Sequence, residues 1–83
     1  YAPQSPQLYY NRAILFTNMN DLLSAYKDYT TVISLDSNYA DAYINRGNLY
    51  LRARQFSLAI EDYSLALQIH PQYLEAYHNR ALA

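Results

Sequence analysis

The chain has no cysteine and no tryptophan, one glycine, one methionine and three prolines in 83 residues. Without cysteine there is no disulfide framework and no thiolate metal site. One glycine and three prolines are too few to turn a series of hairpins, which favours helices over sheet. Charge is also sparse: six Lys and Arg against seven Asp and Glu give a net charge of −1. That balance lacks the basic field on which nucleic-acid binding draws, so no nucleic-acid partner is expected. No apolar run approaches the ~18 residues of a membrane span, and no charged-then-apolar leader opens the sequence. With cysteine absent as well, a cytoplasmic setting is the expectation, with no membrane partner. What the chain does have is tyrosine, eleven of them.

The sequence also repeats. Displaced by 34 residues, Tyr9, Asn11, Arg12, Leu15, Ala25, Asp28, Tyr29, Tyr39 and Ala42 fall on Tyr43, Asn45, Arg46, Leu49, Ala59, Asp62, Tyr63, Tyr73 and Ala76. Conservative pairs such as Thr30/Ser64 and Ile33/Leu67 add to the match, and a third copy opens with Tyr77, Asn79 and Arg80. A fixed period of this length is the signature of a stacked helical array. Within each unit two stretches carry apolar residues at spacings of three and four. These predict helices near 6–18, 21–35, 40–53, 56–69 and 73–83. Ser5 reads as an N-cap with Pro6 at the first helical position, Asn20–Asp21 as a turn and cap, and Pro71 as a stop. The units are 6–39, 40–73 and a partial third at 74–83. Residues 1–5 read as a linker or trimmed edge, and the chain as one structural domain excised from a longer array.

The pattern resembles the tetratricopeptide repeat family. Counted from Ala40, the second unit places Tyr43, Gly47, Tyr50, Ala59, Tyr63, Ala66 and Pro71 at the family's aromatic, small and proline positions. The first, counted from Pro6, supplies Tyr9, Ala13, Phe16, Ala25 and Tyr29, then departs with Val32 for a small residue and Ser37 for proline. The third supplies Tyr77 and Ala81. The resemblance implies an all-α, right-handed superhelical solenoid of antiparallel helix pairs in which these residues are packing. One departure is systematic: Arg12, Arg46 and Arg80 stand where the family usually has leucine. Asp28 and Asp62 recur on the second helices, so each arginine is expected to pair with an aspartate across the two helices of its unit.

No catalytic constellation is present, so the chain is read as not an enzyme. His70 precedes a helix-stopping proline and reads as a cap or surface residue, and His78 has no ligand set at metal spacing, so no metal or cofactor is expected. The resemblance implies instead a protein-interaction scaffold that binds a peptide or protein segment in a concave groove lined by first helices. Carried over, the groove includes Tyr10, Asn11 and Asn18, then Ile44, Asn45, Asn48 and Arg52, then His78 and Asn79. Asn11, Asn45 and Asn79 share one repeat position, and an amide can both donate to and accept from a peptide backbone. Chaperone C-terminal tails are not expected. The basic clamp residues that some members use are replaced here by Tyr10, Glu75 and Asn79, and Ile14 stands where the clamp has an asparagine. The alternative reading is a structural module that self-associates through exposed solenoid ends, since no polar capping helix is visible.

Overall fold

The computed structural model describes residues 5–71. Within them lie four helices and no strand: α1 (Pro6–Asn18), α2 (Leu22–Leu35), α3 (Ala40–Arg52) and α4 (Phe56–Ile69). These agree with the predicted boundaries to within a residue. Pro6 opens α1 as expected, but the Ser5 hydroxyl makes no cap bond. The Ser5 carbonyl accepts from the Leu8 amide at 3.2 Å instead. Asp21 does cap α2, its carboxylate accepting from the Ser24 amide at 3.3 Å.

Both turns within a helix pair have the same design. The Asp21 amide reaches back to the Phe16 carbonyl, and the Gln55 amide to the Tyr50 carbonyl, each at 2.8 Å. The residue before each donor, Asn20 and Arg54, takes a left-handed backbone with φ 63° and 61°. This is the helix-ending arrangement that a left-handed residue makes possible. Asparagine tolerates that region, whereas for arginine it costs about 1 kcal/mol. Arg54→Asn is therefore expected to raise the unfolding free energy by up to about 1 kcal/mol, checked by urea denaturation.

Each short turn folds a helix back against its predecessor, so α1 packs on α2 and α3 on α4, and α2 joins the pairs by packing on α3. Alanine at the crossing points allows close approach: Ala13, Ala25, Ala42, Ala59 and Ala66 are all fully buried. Val32, larger than the family's residue, is also fully buried, in a cluster with Ala13, Ala25, Tyr29, Ala42 and Leu49. Ser37, in place of proline, stays exposed while its carbonyl accepts from the Tyr43 hydroxyl at 3.1 Å. Pro71 is exposed just beyond the α4 cap residue, His70. The last two positions of the second unit, the partial third unit and with it Tyr77 and Ala81 lie outside the described residues.

Candidate functional site

The recurrent arginines are built into the frame of both units. Arg12 donates to Asp28 from Nε at 2.7 Å and from Nη2 at 2.9 Å. Arg46 makes the same fork on Asp62, at 2.8 and 2.9 Å. Two parallel charge-assisted bonds fix the guanidinium plane. Each plane lies between two aromatic rings of its own helix. Arg12 sits 5.5 Å from the Tyr9 ring centroid and 5.8 Å from that of Phe16. Arg46 sits 5.8 Å from both Tyr43 and Tyr50. Tyr9, Phe16 and Tyr50 are half-buried, whereas Tyr43 is buried; Tyr9 and Phe16 touch the hydrophobic core on one side and the cation on the other. The Asp62 fork raises the Arg46 pKa further, against the opposing effect of burial. Sequence reasoning supplied the pairing but missed the second partner of Arg46, the Thr30 hydroxyl on α2 at 3.4 Å. The Thr30/Ser64 recurrence was the available signal.

The residues carried over to the groove are also largely engaged. The Tyr10 ring packs against Tyr29 at 5.9 Å and Tyr39 at 5.1 Å between centroids. Its hydroxyl accepts from Asn45 Nδ2 at 2.9 Å, which joins the two units. Asn11 Oδ1 accepts from Gln7 Nε2 at 3.0 Å, and Gln7 Oε1 accepts from the Tyr39 hydroxyl at 2.8 Å. Asn48 Oδ1 accepts from the hydroxyl of Tyr63, a ring wholly removed from solvent. Arg52 donates from Nη2 to Asn20 Oδ1 at 3.0 Å, across the ends of α3 and α1. Asn18 is exposed at the end of α1. Ile44 is buried with Ala40, Tyr43 and Ala66, so it offers little surface to a ligand. The remaining candidates, His78 and Asn79, lie outside the described residues. Tyr26 meets Tyr50 edge to face at 5.7 Å and accepts from the Tyr50 hydroxyl at 3.4 Å.

The tyrosines are chemically altered by this packing. Burial, with the nearby Asp41 carboxylate adding to it and the Asn45 bond opposing, pushes Tyr10 up to about 12. Burial and the Tyr26 hydroxyl push Tyr50 up to about 12 as well, against the pull of Arg46. Tyr29 is raised by burial, and Tyr39 by burial and the carboxylates Asp41 and Asp36. An unfolded tyrosine titrates near ~10. The folded chain therefore holds these protons more tightly. Their contribution to stability is complete below about pH 10 and is lost as pH rises toward about 12. The urea midpoint is expected to fall across that window, and Tyr10→Phe to remove part of the slope. A midpoint flat to about pH 12 would contradict it.

Among the described residues there is no cluster of His, Cys, Asp or Glu fit to hold a metal ion, and no helix long and apolar enough to cross a membrane. The arrangement therefore offers amide, hydroxyl and aromatic contacts. No protein of curated function matches the sequence significantly. Two sequence profiles of the tetratricopeptide repeat do match, one over residues 6–39 and one over 40–73. Among solved structures, the first such domain of Spaghetti (RPAP3), bound to the HSP90 peptide SRMEEVD, superposes with a TM-score of 0.90 at 26% identity, over 95% of this chain and 63% of that one. MamA gives 0.93 at 28% identity, over 95% and 46%. The TPR2B domain of yeast Sti1, from a complex with pHsp70, gives 0.88 at 25% identity, over 93% and 62%. The chain thus spans less than two thirds of the length of each. With its 34-residue units, paired helices and matching profiles over both units, the chain belongs to the tetratricopeptide repeat family.

Proposed function

We propose that the chain is a protein-interaction scaffold that holds an extended peptide segment along its first helices, with Asn11, Asn45 and Asn79 contacting the peptide backbone. The observation that carries this is the fixed amide of Asn45. Its Nδ2 is anchored on the Tyr10 hydroxyl at 2.9 Å, and its Oδ1 makes no hydrogen bond among the described residues. Asn11 is held in the complementary sense, with Oδ1 engaged by Gln7 and Nδ2 left over. An oriented acceptor and an oriented donor at one repeat position suit a main-chain strand, whose amides and carbonyls recur whatever its side chains. Relatives solved with a bound HSP90 peptide or in complex with pHsp70 support peptide or protein binding as such.

We further propose that acidic chaperone-type tails are not the ligand, because Tyr10, Glu75 and Asn79, at the positions where some members have basic residues, offer no cation to a carboxylate. The test is a peptide array probed with the wild-type chain and with the triple variant Asn11→Ala, Asn45→Ala, Asn79→Ala. At about 0.5–1.5 kcal/mol per lost hydrogen bond, affinity for bound peptides should fall roughly tenfold or more. Peptides of acidic C-terminal sequence should bind no better than scrambled ones. Undiminished binding by the triple variant would falsify the asparagine contact, and selective capture of acidic tails would overturn the ligand assignment.

A further inference from the structure

Charge is distributed unevenly along the first helices. Near their N-terminal ends, one repeat position carries Gln7, Asp41 and Glu75, an amide and two carboxylates 34 residues apart. Asp41 is exposed in the first turn of α3 and stands one helical turn before Asn45, so the two share a face. Tyr39, the residue that opens α3, reaches across to the first unit. Its hydroxyl donates to Gln7 Oε1 at 2.8 Å, and its half-buried ring lies 5.1 Å from that of Tyr10. Tyr10 in turn accepts from Asn45. Asp41, Tyr39, Tyr10 and Asn45 therefore form one continuous patch. Burial raises the pKa of both tyrosine hydroxyls and Asp41 adds to it in each, while among the described residues no Lys or Arg pulls either back. The described cations are placed elsewhere. Arg12 and Arg46 are forked on Asp28 and Asp62, and Arg52 bonds Asn20 at the other ends of α3 and α1. Lys27 lies on α2 and Arg54 in the turn after α3.

We propose that the peptide held in this groove carries a lysine or arginine whose charged end meets Asp41 and whose stem lies along the Tyr39 ring. The inference rests on the peptide-groove reading and adds what amide contacts to a main chain do not supply, a choice among sequences. Asn45 Oδ1 fixes one main-chain amide of the strand, and the long stem of a basic side chain spans the single turn back to Asp41. An ionised carboxylate has about four acceptor sites, so a bond that Asp41 makes elsewhere leaves room for an ammonium or guanidinium. A tyrosine ring beside that carboxylate favours a cation with an apolar stem over a short neutral donor. A metal ion fits less well, because among the described residues no three ligands converge.

The test takes the peptides that bind on the array and remakes them with acetylated N-termini and amidated C-termini. Each position in turn is set to Lys, Arg, citrulline, Gln or Glu, and affinity is read by fluorescence anisotropy. At low salt one position should prefer Lys and Arg over citrulline and Gln by about two- to fivefold, with Glu weaker still. The gap should narrow as salt is raised. Asp41→Asn should abolish the preference and Asp41→Lys should turn it toward Glu, with circular dichroism confirming that both variants are folded. Wild-type binding that ignores charge, yet is weakened by the triple asparagine variant, would overturn this inference alone. So would a preference for Lys that both Asp41 variants retain, or binding that requires a free N-terminal amine, since the cation would then be the peptide's end and not a side chain. An array on which no peptide binds would overturn the groove reading and this inference together.

Discussion

Asp62→Ala should cost about 3–5 kcal/mol and leave the second unit largely unfolded at 25 °C. The side chain of Asp62 is 2% exposed, and among the described residues it is the carboxylate that pairs with Arg46, which lies between Tyr43 and Tyr50. Removing the carboxylate leaves a guanidinium that is poorly hydrated and cannot deprotonate, which is the costly way to break a buried pair. A natural domain has only about 5–15 kcal/mol in hand, and a chain this short stands at the low end. Asp62→Asn keeps an acceptor oxygen but loses the charge, so it should fall between wild type and Asp62→Ala. Replacing both members, Arg46→Leu with Asp62→Leu, should recover most of the loss, because an apolar pair of similar volume asks for no desolvation of charge. Asp28→Ala should cost much less than Asp62→Ala, because water already reaches Arg12. The check is urea denaturation of the four variants followed by circular dichroism at 222 nm. Equal losses for Asp28→Ala and Asp62→Ala would sink the argument, since the two pairs differ chiefly in solvent access.

Helix boundaries were legible because they depend on local chemistry: Pro6 at a helix start, Asp21 as a cap, Pro71 beyond a helix end. The arginine–aspartate forks were legible because both members recur 34 residues apart, and a recurrence of two opposite charges at fixed unit positions survives only if the pair shares one geometry. The Ser5 cap failed for a local reason that pattern does not carry. Its hydroxyl makes no cap bond, and the carbonyl takes the Leu8 amide instead. The groove was the least legible part. The carry-over of position alone placed Tyr10, Ile44 and Asn48 on a binding face. Tyr10 is wedged between Tyr29 and Tyr39, Ile44 is buried, and Asn48 is bonded to Tyr63. Side-chain direction across a helix pair depends on which neighbour is large, and the Asn45 amide on the Tyr10 hydroxyl joins residues from different units. Such a contact has no signature in the spacing within one unit. The cation between aromatic rings was missed for a similar reason: aromatic residues three before and four after an arginine read as packing until the guanidinium is seen between them.

Gly47→Val should cost about 3 kcal/mol, whereas Gly47→Ala should be close to neutral, and the contrast tests how the helices of the second unit are spaced. A Cβ on Gly47 would lie 2.7 Å from Cε1 and 3.0 Å from Cδ1 of Tyr63. That ring cannot swing aside: it is 0% exposed and its hydroxyl is tied to Asn48. The first unit shows how far the frame can give. At the corresponding position Ala13 is fully buried, and the ring opposite, Tyr29, is also buried. The helix pair can therefore accept one methyl group if α3 and α4 move apart by a few tenths of an ångström. Overpacking of this kind costs about 1–3 kcal/mol, and exchanging glycine for alanine inside a helix returns about 1 kcal/mol, so the two nearly cancel. Valine returns less in helix propensity and adds a branch toward the same ring, and no repeat of this chain accommodates it. If the ring is the obstacle, Tyr63→Leu should absorb much of the valine penalty, and the double variant should lose less than the sum of the two single losses. The measurement is the urea midpoint of the four chains, with the near-ultraviolet tyrosine signal reporting whether Tyr63 keeps its fixed surroundings. Strict additivity of Gly47→Val and Tyr63→Leu would show that the glycine is required for some reason other than the approach of that ring.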